Sequence, residues 1–312
     1  MTPEKLKEQL NGITGISITP FDADGAFDPN EYERNLRYIV DGGLNASNAV
    51  LVVAGSTGEC GAMSTDDRKR VVETAMSTVG SELPIIAGCN STNVHESIEL
   101  ARHAEGLGAA GIMALAPYYY PAKDARSIVG FYSTLSKGTD LGILIYNNIE
   151  VMGIDMSVEV IKRLSELPNV VGIKECTPAF FKMSRVVETV GSTISVVNGH
   201  GEFLEPYAAL AGTAGFISSI ANFAPKKTVE IWEARSRGDY ATARSVRDSL
   251  LPYMDLAAQF SSTGGEYKVI SLLKHAADLV GAHGGYPRTP SPLLSAEEKR
   301  EIATVFERIG LI

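Results

Sequence analysis

The stretch Val170–Cys176 (VVGIKEC) is typical of a short buried β-strand with a lysine near its C-terminal end. Side chains alternate across a strand, so Lys174 shares a face with Gly172 and turns away from Ile173. On the inner face of an apolar sheet an ammonium is costly, because burial disfavours the charged form. Two interpretations of Lys174 follow. It is either a strand-end lysine that reaches water or a carboxylate, or an amine kept neutral enough to form a Schiff base with a carbonyl.

Strands of this kind occur eight times between Gly12 and about Ala224, each followed by a turn and an amphipathic helix. Strands that alternate with helices imply a parallel sheet. Eight such units predict a closed (β/α)8 TIM barrel, with an open doubly wound sheet as the alternative. We expect strands at 13–19, 48–54, 84–88, 111–116, 141–147, 169–174, 193–198 and 214–219. We expect the intervening helices near 29–42, 64–80, 93–107, 124–137, 156–166, 179–190, 202–211 and 225–237.

Beyond the last predicted strand the pattern becomes purely helical. We therefore predict a barrel domain over residues 1–224 and a C-terminal helical extension over 225–312, which includes the eighth barrel helix. The remaining helices of this extension are expected near 239–258, 266–281 and 296–309.

One motif in the barrel imitates a nucleotide site. Residues 106–111 (GLGAAG) satisfy G-x-G-x-x-G, a pattern that binds a dinucleotide when it follows a strand and opens a helix. Here the motif follows a predicted helix and leads into a strand, so an αβ turn with a glycine cap is the better interpretation. We expect no nucleotide and no other cofactor.

Composition and charge exclude several classes of function. The formal net charge is −9, so neither a nucleic acid nor an anionic membrane is expected as a general partner. The sequence contains no apolar stretch of membrane-spanning length, and the N-terminus lacks the apolar run of a signal peptide. The three scattered cysteines predict a cytoplasmic location. The five histidines show no metal-ligand spacing, so no metal site is expected.

Polar residues occupy the ends of the predicted strands, where (β/α)8 enzymes build their active sites. Strand two runs into 55–59 (GSTGE) and strand four into 117–121 (PYYYP). Strand five ends at 146–148 (YNN), strand six at Lys174 and strand seven at 198–202 (NGHGE). Each segment taken singly is more often a turn or a packing residue. Their joint placement around an inward lysine favours the Schiff-base interpretation.

In this order and spacing, these motifs resemble the family of dihydrodipicolinate synthase and N-acetylneuraminate lyase, and the resemblance covers nearly the whole chain. It implies a class I Schiff-base lyase in which Lys174 attacks the ketone of pyruvate or a related 2-oxo acid. It also implies that Tyr146 is the general acid/base and that Thr57 and Tyr119 relay protons to it. The amides and hydroxyls of Ser56 and Thr57 would hold the substrate carboxylate.

The same resemblance extends to the pocket wall and to assembly. Gly199, through its backbone, and Ile217, through its side chain, match positions that line the pocket near the lysine. The family's second tyrosine usually crosses a dimer interface. The resemblance therefore implies a homodimer or homotetramer with Tyr119 near the interface.

Several positions depart from the best-known members of the family. Val151 stands where dihydrodipicolinate synthases carry an arginine for the second substrate's carboxylate, and Ile149 replaces a proline. Sugar-acid lyases usually carry an acidic pair where this chain has Gly201 and Glu202, and a hydroxyl residue where it has Cys176. Our candidates for substrate-specific contacts are Asn148, Glu202, His200 and Ser219.

We therefore predict an aldolase or dehydratase that acts on pyruvate or a 2-oxo-3-deoxy acid. The first alternative is dihydrodipicolinate synthase proper, which condenses pyruvate with aspartate semialdehyde. The second is a non-catalytic binding or regulatory paralogue that keeps the barrel.

Overall fold

The strands of the computed structural model, which describes residues 1–312, are short and buried along their whole length. They are β1 (Ile13–Ile16), β2 (Ala49–Val53), β3 (Ile85–Gly88), β4 (Gly111–Leu115), β5 (Gly142–Asn147), β6 (Val170–Glu175), β7 (Ser195–Asn198) and β8 (Gly215–Ser218). Each strand pairs in parallel with the next, and β8 pairs with β1. The predicted closed barrel is confirmed, and the open doubly wound sheet is wrong.

Helices surround the barrel and continue past its last strand. They are α1 (Pro3–Gln9), α2 (Pro29–Asp41), α3 (Thr65–Val79), α4 (Val94–Gly106), α5 (Ala125–Ser136), α6 (Ile149–Met152), α7 (Val158–Ser165), α8 (Phe180–Val190), α9 (Tyr207–Leu210), α10 (Pro225–Ser236), α11 (Tyr240–Asp248), α12 (Leu251–Leu279) and α13 (Ala296–Arg308). None of these helices is both long enough and apolar enough to cross a membrane.

The sequence analysis missed α1, which closes the N-terminal end of the barrel. Its Leu6 and the following Leu10 are fully buried. Glycines at the bottom of the strands make room for them: a Cβ on Gly111 would lie 2.3 Å from Leu6 Cδ2, and one on Gly172 would lie 2.7 Å from Leu10 Cδ1. Because these leucines fill the N-terminal end of the barrel, only the C-terminal ends of the strands leave room for a site.

Prolines account for two further differences. The helix expected over 202–211 is reduced to a 3₁₀ turn and the four-residue α9, because Pro206 has no N–H to continue a helix and disfavours helical backbone at the residue before it. The helix expected over 239–258 is divided, because Pro252 is tolerated only in the first turn of α12. Within α12, Gly265 has non-helical angles (φ 63°, ψ −164°) that break the helix.

An aromatic cluster attaches the C-terminal helices to the barrel. Phe223, shortly after β8, lies 4.7 Å from Tyr253 of α12 and 5.2 Å from Phe306 of α13 between ring centroids. All three rings are buried, and such pairs contribute about 0.5–1.5 kcal/mol each beyond their buried area. The predicted C-terminal helices are therefore present and packed on the barrel. The boundary at 224/225 stays a prediction.

Candidate active site

Lys174 lies near the C-terminal end of β6 with its side chain toward the barrel interior. Its register partner on β5 is Tyr146, and neighbouring residues of parallel strands share a face. The Nζ atom of Lys174 lies 3.8 Å from the centroid of the Tyr146 ring, and both side chains are buried, at 5% and 4% exposure. The structure therefore brings the two main predicted residues into direct contact.

Lys174 and Tyr146 titrate as a coupled pair. Burial lowers the pKa of Lys174, whereas a Tyr146 phenolate or a Cys176 thiolate would raise it, and with these anions present the pKa lies above its usual 10.5. Burial also raises the pKa of Tyr146, and it raises that of Cys176 to about 12. Both groups therefore keep their protons at neutral pH. The carboxylate of Glu266 also raises the pKa of Lys174, so burial and this carboxylate act on the amine in opposite directions.

The hydroxyl of Tyr146 accepts a hydrogen bond from Asn148. Asn148 Nδ2 lies 2.9 Å from Tyr146 Oη, while Asn148 Oδ1 accepts from the backbone N–H of Glu150 and caps α6. This bond stabilises a phenolate and acts against the effect of burial on the pKa of Tyr146. Sequence reasoning assigned Asn148 to the substrate. The structure places its amide on the hydroxyl of Tyr146, and a contact between Asn148 and the substrate stays a prediction.

Backbone donors for an anion lie in the loop after β2. Glu59 N–H donates to Ser56 O and Cys60 N–H to Gly55 O, so the loop 55–59 curls tightly. The amide N–H groups of Ser56 and Thr57 donate no hydrogen bond within the chain, and both side chains are half-buried. Successive free amides of this kind form an anion-binding concavity. The arrangement suits the predicted grip on a carboxylate.

Tyr119 lies outside this group in the single chain. Its side chain is 74% exposed, and its ring meets that of Tyr120 edge-on at a centroid distance of 4.9 Å. Neither Tyr119 nor Thr57 is hydrogen-bonded to Tyr146, whose hydroxyl contacts Asn148. The proton relay through Thr57 and Tyr119 stays a prediction. The predicted relay takes Tyr119 from a second copy of the chain.

The wall beside Lys174 comes from β7, β8 and the end of β6. A Cβ on Gly199 would lie 2.2 Å from Cys176 Sγ, so only glycine fits there while the thiol keeps its place. Ile217 of β8 is buried, and the strand register gives it the same inward phase as Lys174. Ser219 follows β8 and is half-buried. These positions suit the predicted lining.

Two candidate specificity residues are held by hydrogen bonds within the chain. Glu202 is 2% exposed and accepts hydrogen bonds from Ser218 Oγ at 2.5 Å and from Thr228 Oγ1 at 2.8 Å, behind β8. The ring of His200 bonds the carbonyl oxygen of Thr177 at 2.8 Å. The burial of Glu202 behind β8 argues against its contact with the substrate, whereas contact by His200 stays a prediction. A position in a loop carries no regular period, so the sequence could not show where these side chains point.

The buried carboxyl of Glu202 predicts a pH-dependent effect of the Glu202→Gln substitution. Burial raises the pKa of Glu202 from 4.5 to about 7. Between these values the folded chain keeps a proton that the unfolded chain releases, so wild-type stability falls as pH rises. Glutamine cannot ionise. The variant should therefore gain up to about 3 kcal/mol in unfolding free energy relative to wild type between pH 5 and 8, measured by urea titration.

Glu233→Gln is the matched control, because Glu233 lies on α10, as Thr228 does, but its side chain is 58% exposed. Its difference from wild type should stay constant across the same pH range. Equal pH dependence of the two variants would contradict the assignment of Glu202 as a buried structural acid.

Sequence reasoning also missed a polar network behind the two strands that carry Lys174 and Tyr146. Glu175 is fully buried on the outer face of β6, where Asn147 Nδ2 donates to both of its oxygens at 2.9 and 3.0 Å. Asn147 also donates to Asp155 at 2.9 Å, and Lys182 bridges Asp155 and Glu175. The network ties the loops after β5 and β6 to their strands. The sequence did carry one sign of this network, because Glu175 is a second charged residue beside Lys174 within an apolar strand.

Comparisons with known proteins agree with this geometry. The family model described as "Dihydrodipicolinate synthetase family" matches residues 9–309. A 4-hydroxy-tetrahydrodipicolinate synthase from Methanococcoides burtonii is 30% identical over 304 residues, covering 97% of this chain and 99% of that protein. A Pseudomonas entomophila protein named "Probable 5-dehydro-4-deoxyglucarate dehydratase" is 29% identical over 316 residues, covering 99% of each.

Solved structures give the same result. Dihydrodipicolinate synthase from Thermotoga maritima superposes with a TM-score of 0.86 at 30% identity, covering 96% of this chain and 99% of that one. YagE, a prophage protein of the dihydrodipicolinic acid synthase family from E. coli K12 solved with pyruvate, gives 0.87 at 25% identity with the same coverage. The predicted relationship is confirmed: the chain belongs to the dihydrodipicolinate synthetase family of Schiff-base-forming lyases.

Proposed function

We propose that the chain is a class I lyase whose Lys174 forms a Schiff base with pyruvate or a 2-oxo-3-deoxy acid. The observation that carries this proposal is the buried Lys174 amine on the face of Tyr146, at the open end of the barrel. A buried lysine that forms no salt bridge has little structural purpose, whereas a desolvated amine is a good nucleophile.

The residues suggest a sequence of proton transfers. The neutral Lys174 amine adds to the ketone carbon, and a proton lost by the amine nitrogen is transferred to the carbonyl oxygen to give a carbinolamine. Tyr146 donates the proton that lets this hydroxyl leave as water, which yields the iminium. The iminium then accepts the electron pair released when a carbon–carbon bond breaks or a proton leaves the neighbouring carbon. A proton added to the carbon of the resulting enamine regenerates the iminium. Addition of water to this iminium then gives a carbinolamine, which releases the ketone and the free lysine.

Two supporting interactions complete the proposal. The Ser56 and Thr57 amides bind the carboxylate that every 2-oxo acid carries beside its ketone, which orients the ketone toward Lys174. Asn148 donates to the Tyr146 oxygen and stabilises the phenolate that forms after each proton donation. The choice of substrate then depends on residues that contact the part of the molecule beyond its 2-oxo acid group.

Val151 argues for a substrate without a second carboxylate at its position. It lies in α6, directly after the strand that carries Tyr146, and is partly buried against the hydrophobic core. An apolar side chain cannot form the bidentate ion pair by which arginine grips a carboxylate. We therefore favour a 2-oxo-3-deoxy acid, as an aldolase or dehydratase. Dihydrodipicolinate synthesis remains the alternative, favoured by the names of several relatives.

Substrate screening of wild type and Val151→Arg separates these alternatives. We expect wild type to turn over a 2-oxo-3-deoxy sugar acid. We expect it to condense pyruvate with aspartate semialdehyde poorly. Val151→Arg should raise kcat/KM for the condensation by about tenfold or more, because a charged hydrogen bond contributes about 1.5–3 kcal/mol. Val151→Met is the control of similar shape without charge.

Efficient condensation by wild type would show that Val151 does not decide specificity and would favour dihydrodipicolinate synthase proper. Absence of any turnover, together with absence of a Schiff base, would favour the non-catalytic paralogue.

We also propose a homodimer or homotetramer, in the cytoplasm. The exposed rings of Tyr118, Tyr119 and Tyr120 support association at this face, because large apolar groups clustered on a surface commonly mark an interface. Association there would bring Tyr119 of one copy toward the site of another. The scattered cysteines, none of them in a disulfide, support the location.

A further inference from the structure

A buried ion pair joins the C-terminal helices to the loop after β2. Lys274 Nζ of α12 lies 2.5 Å from Glu59 Oε1, with side-chain exposures of 1% and 2%. Burying a pair of charges is unfavourable unless the geometry is good and the remaining donors are satisfied. A pair placed this deeply is therefore a candidate for a specific task.

Every donor of Lys274 has a partner on the barrel rim. Besides Glu59, Nζ donates to the carbonyl oxygens of Thr19 at 2.8 Å and Tyr286 at 2.7 Å, and it lies 4.5 Å from the ring centroid of Phe21. Burial lowers the pKa of Lys274 to about 8, with Glu59 acting in the opposite direction. One lysine thus connects the segment after β1, the loop after β2 and the segment after α12.

Glu59 is the last residue of the loop 55–59 that offers the Ser56 and Thr57 amides. Its backbone is left-handed (φ 62°), an unfavourable conformation for a glutamate that the surroundings must enforce. Its second oxygen accepts a hydrogen bond from the backbone N–H of Arg288 at 2.9 Å. The side chain is therefore anchored through both oxygens, and each anchor comes from the C-terminal region.

We infer that Lys274 and Glu59 are positioning residues, which hold the loop 55–59 so that the Ser56 and Thr57 amides face the substrate carboxylate. The inference rests on the proposed function, because that function supplies the carboxylate that the two amides bind. It assigns to the C-terminal helices a role in substrate binding.

The test compares Lys274→Met with Arg235→Met. Arg235 forms an equally buried ion pair with Glu205 at 2.9 Å, on the β7–β8 side of the barrel, so its loss controls for general destabilisation. Two quantities are measured in each full-length variant. One is the pyruvate concentration that gives half-maximal borohydride trapping. The other is the amide hydrogen exchange rate of residues 55–60.

We expect Lys274→Met to raise the half-maximal pyruvate concentration about tenfold or more, with the trapping rate at saturation within about threefold of wild type. Exchange at 55–60 should accelerate about tenfold or more. Arg235→Met should leave both quantities within about twofold of wild type. Should Lys274→Met fail to fold, Glu59→Gln is used, because it keeps the shape of the side chain and weakens the same anchor.

Unchanged pyruvate affinity and unchanged loop exchange in a folded Lys274 or Glu59 variant would overturn the inference. Equal changes in Arg235→Met would do the same, because they would assign the effect to stability. The exchange measurement needs no substrate. If wild type forms no adduct with any 2-oxo acid, the proposed function fails, while the loop measurement still decides the positioning role.

Discussion

Lys174→Ala should abolish turnover, with a loss on the order of 10⁴-fold or more in kcat/KM for whichever 2-oxo acid the wild type uses. The amine supplies the atom that bonds the substrate, and no other lysine contacts Tyr146. Steady-state kinetics measure the loss, and circular dichroism verifies the fold. The variant should stay folded, because the buried amine of Lys174 contacts the ring of Tyr146 and forms no salt bridge that alanine would break.

Lys162→Ala, which removes an exposed lysine of α7, is the matched control and should retain wild-type activity. A Lys174→Ala enzyme that keeps more than about 1% of wild-type kcat/KM would rule out Schiff-base catalysis at this residue.

Tyr146→Phe should lower kcat by about 10²–10⁴-fold while leaving the Schiff base detectable. Phenylalanine keeps the ring that packs on Lys174 but loses the hydroxyl that Asn148 contacts. Proton transfer then depends on water, whereas the amine can still attack. Steady-state kinetics and borohydride trapping of the same preparation separate the two effects. Asn148→Ala should slow turnover by a smaller factor, since it removes only the support of the phenolate.

Wild-type turnover by Tyr146→Phe would remove Tyr146 from the mechanism. Complete loss of trapping would show that its hydroxyl is needed before the Schiff base forms and not mainly after it.

The barrel could be predicted because its signal is local and repeated. Each strand is a short apolar run followed by an amphipathic helix, and each predicted strand overlaps the observed one closely. The run 13–19 is the largest deviation, since β1 ends at Ile16. Helix α1 escaped notice because it precedes the repeat. Its signals were Thr2 as N-cap and Pro3 in the first turn.

The site could be predicted where a strand sets the direction of a side chain. Lys174 and Tyr146 are in register on neighbouring strands, so the period of two placed both inside the barrel. Glu202 and His200 follow a strand in an irregular segment, where neither the helical nor the strand period applies. Glu202 turns behind β8, and the ring of His200 bonds the carbonyl oxygen of Thr177. Lys274 lies 100 residues beyond Lys174 in the chain. Its contact with Glu59 arises only from tertiary packing.

The measurement that tests the central claim most directly is borohydride reduction with pyruvate, followed by mass spectrometry of the digested wild-type chain. We predict one covalent adduct per chain, on the peptide that contains Lys174, and none in Lys174→Ala treated in the same way. Borohydride reduces the iminium irreversibly to an amine, so even a slowly reacting or weakly bound substrate gives an adduct that mass spectrometry detects. Absence of an adduct with every 2-oxo acid tested, or an adduct that persists in Lys174→Ala, would contradict the account.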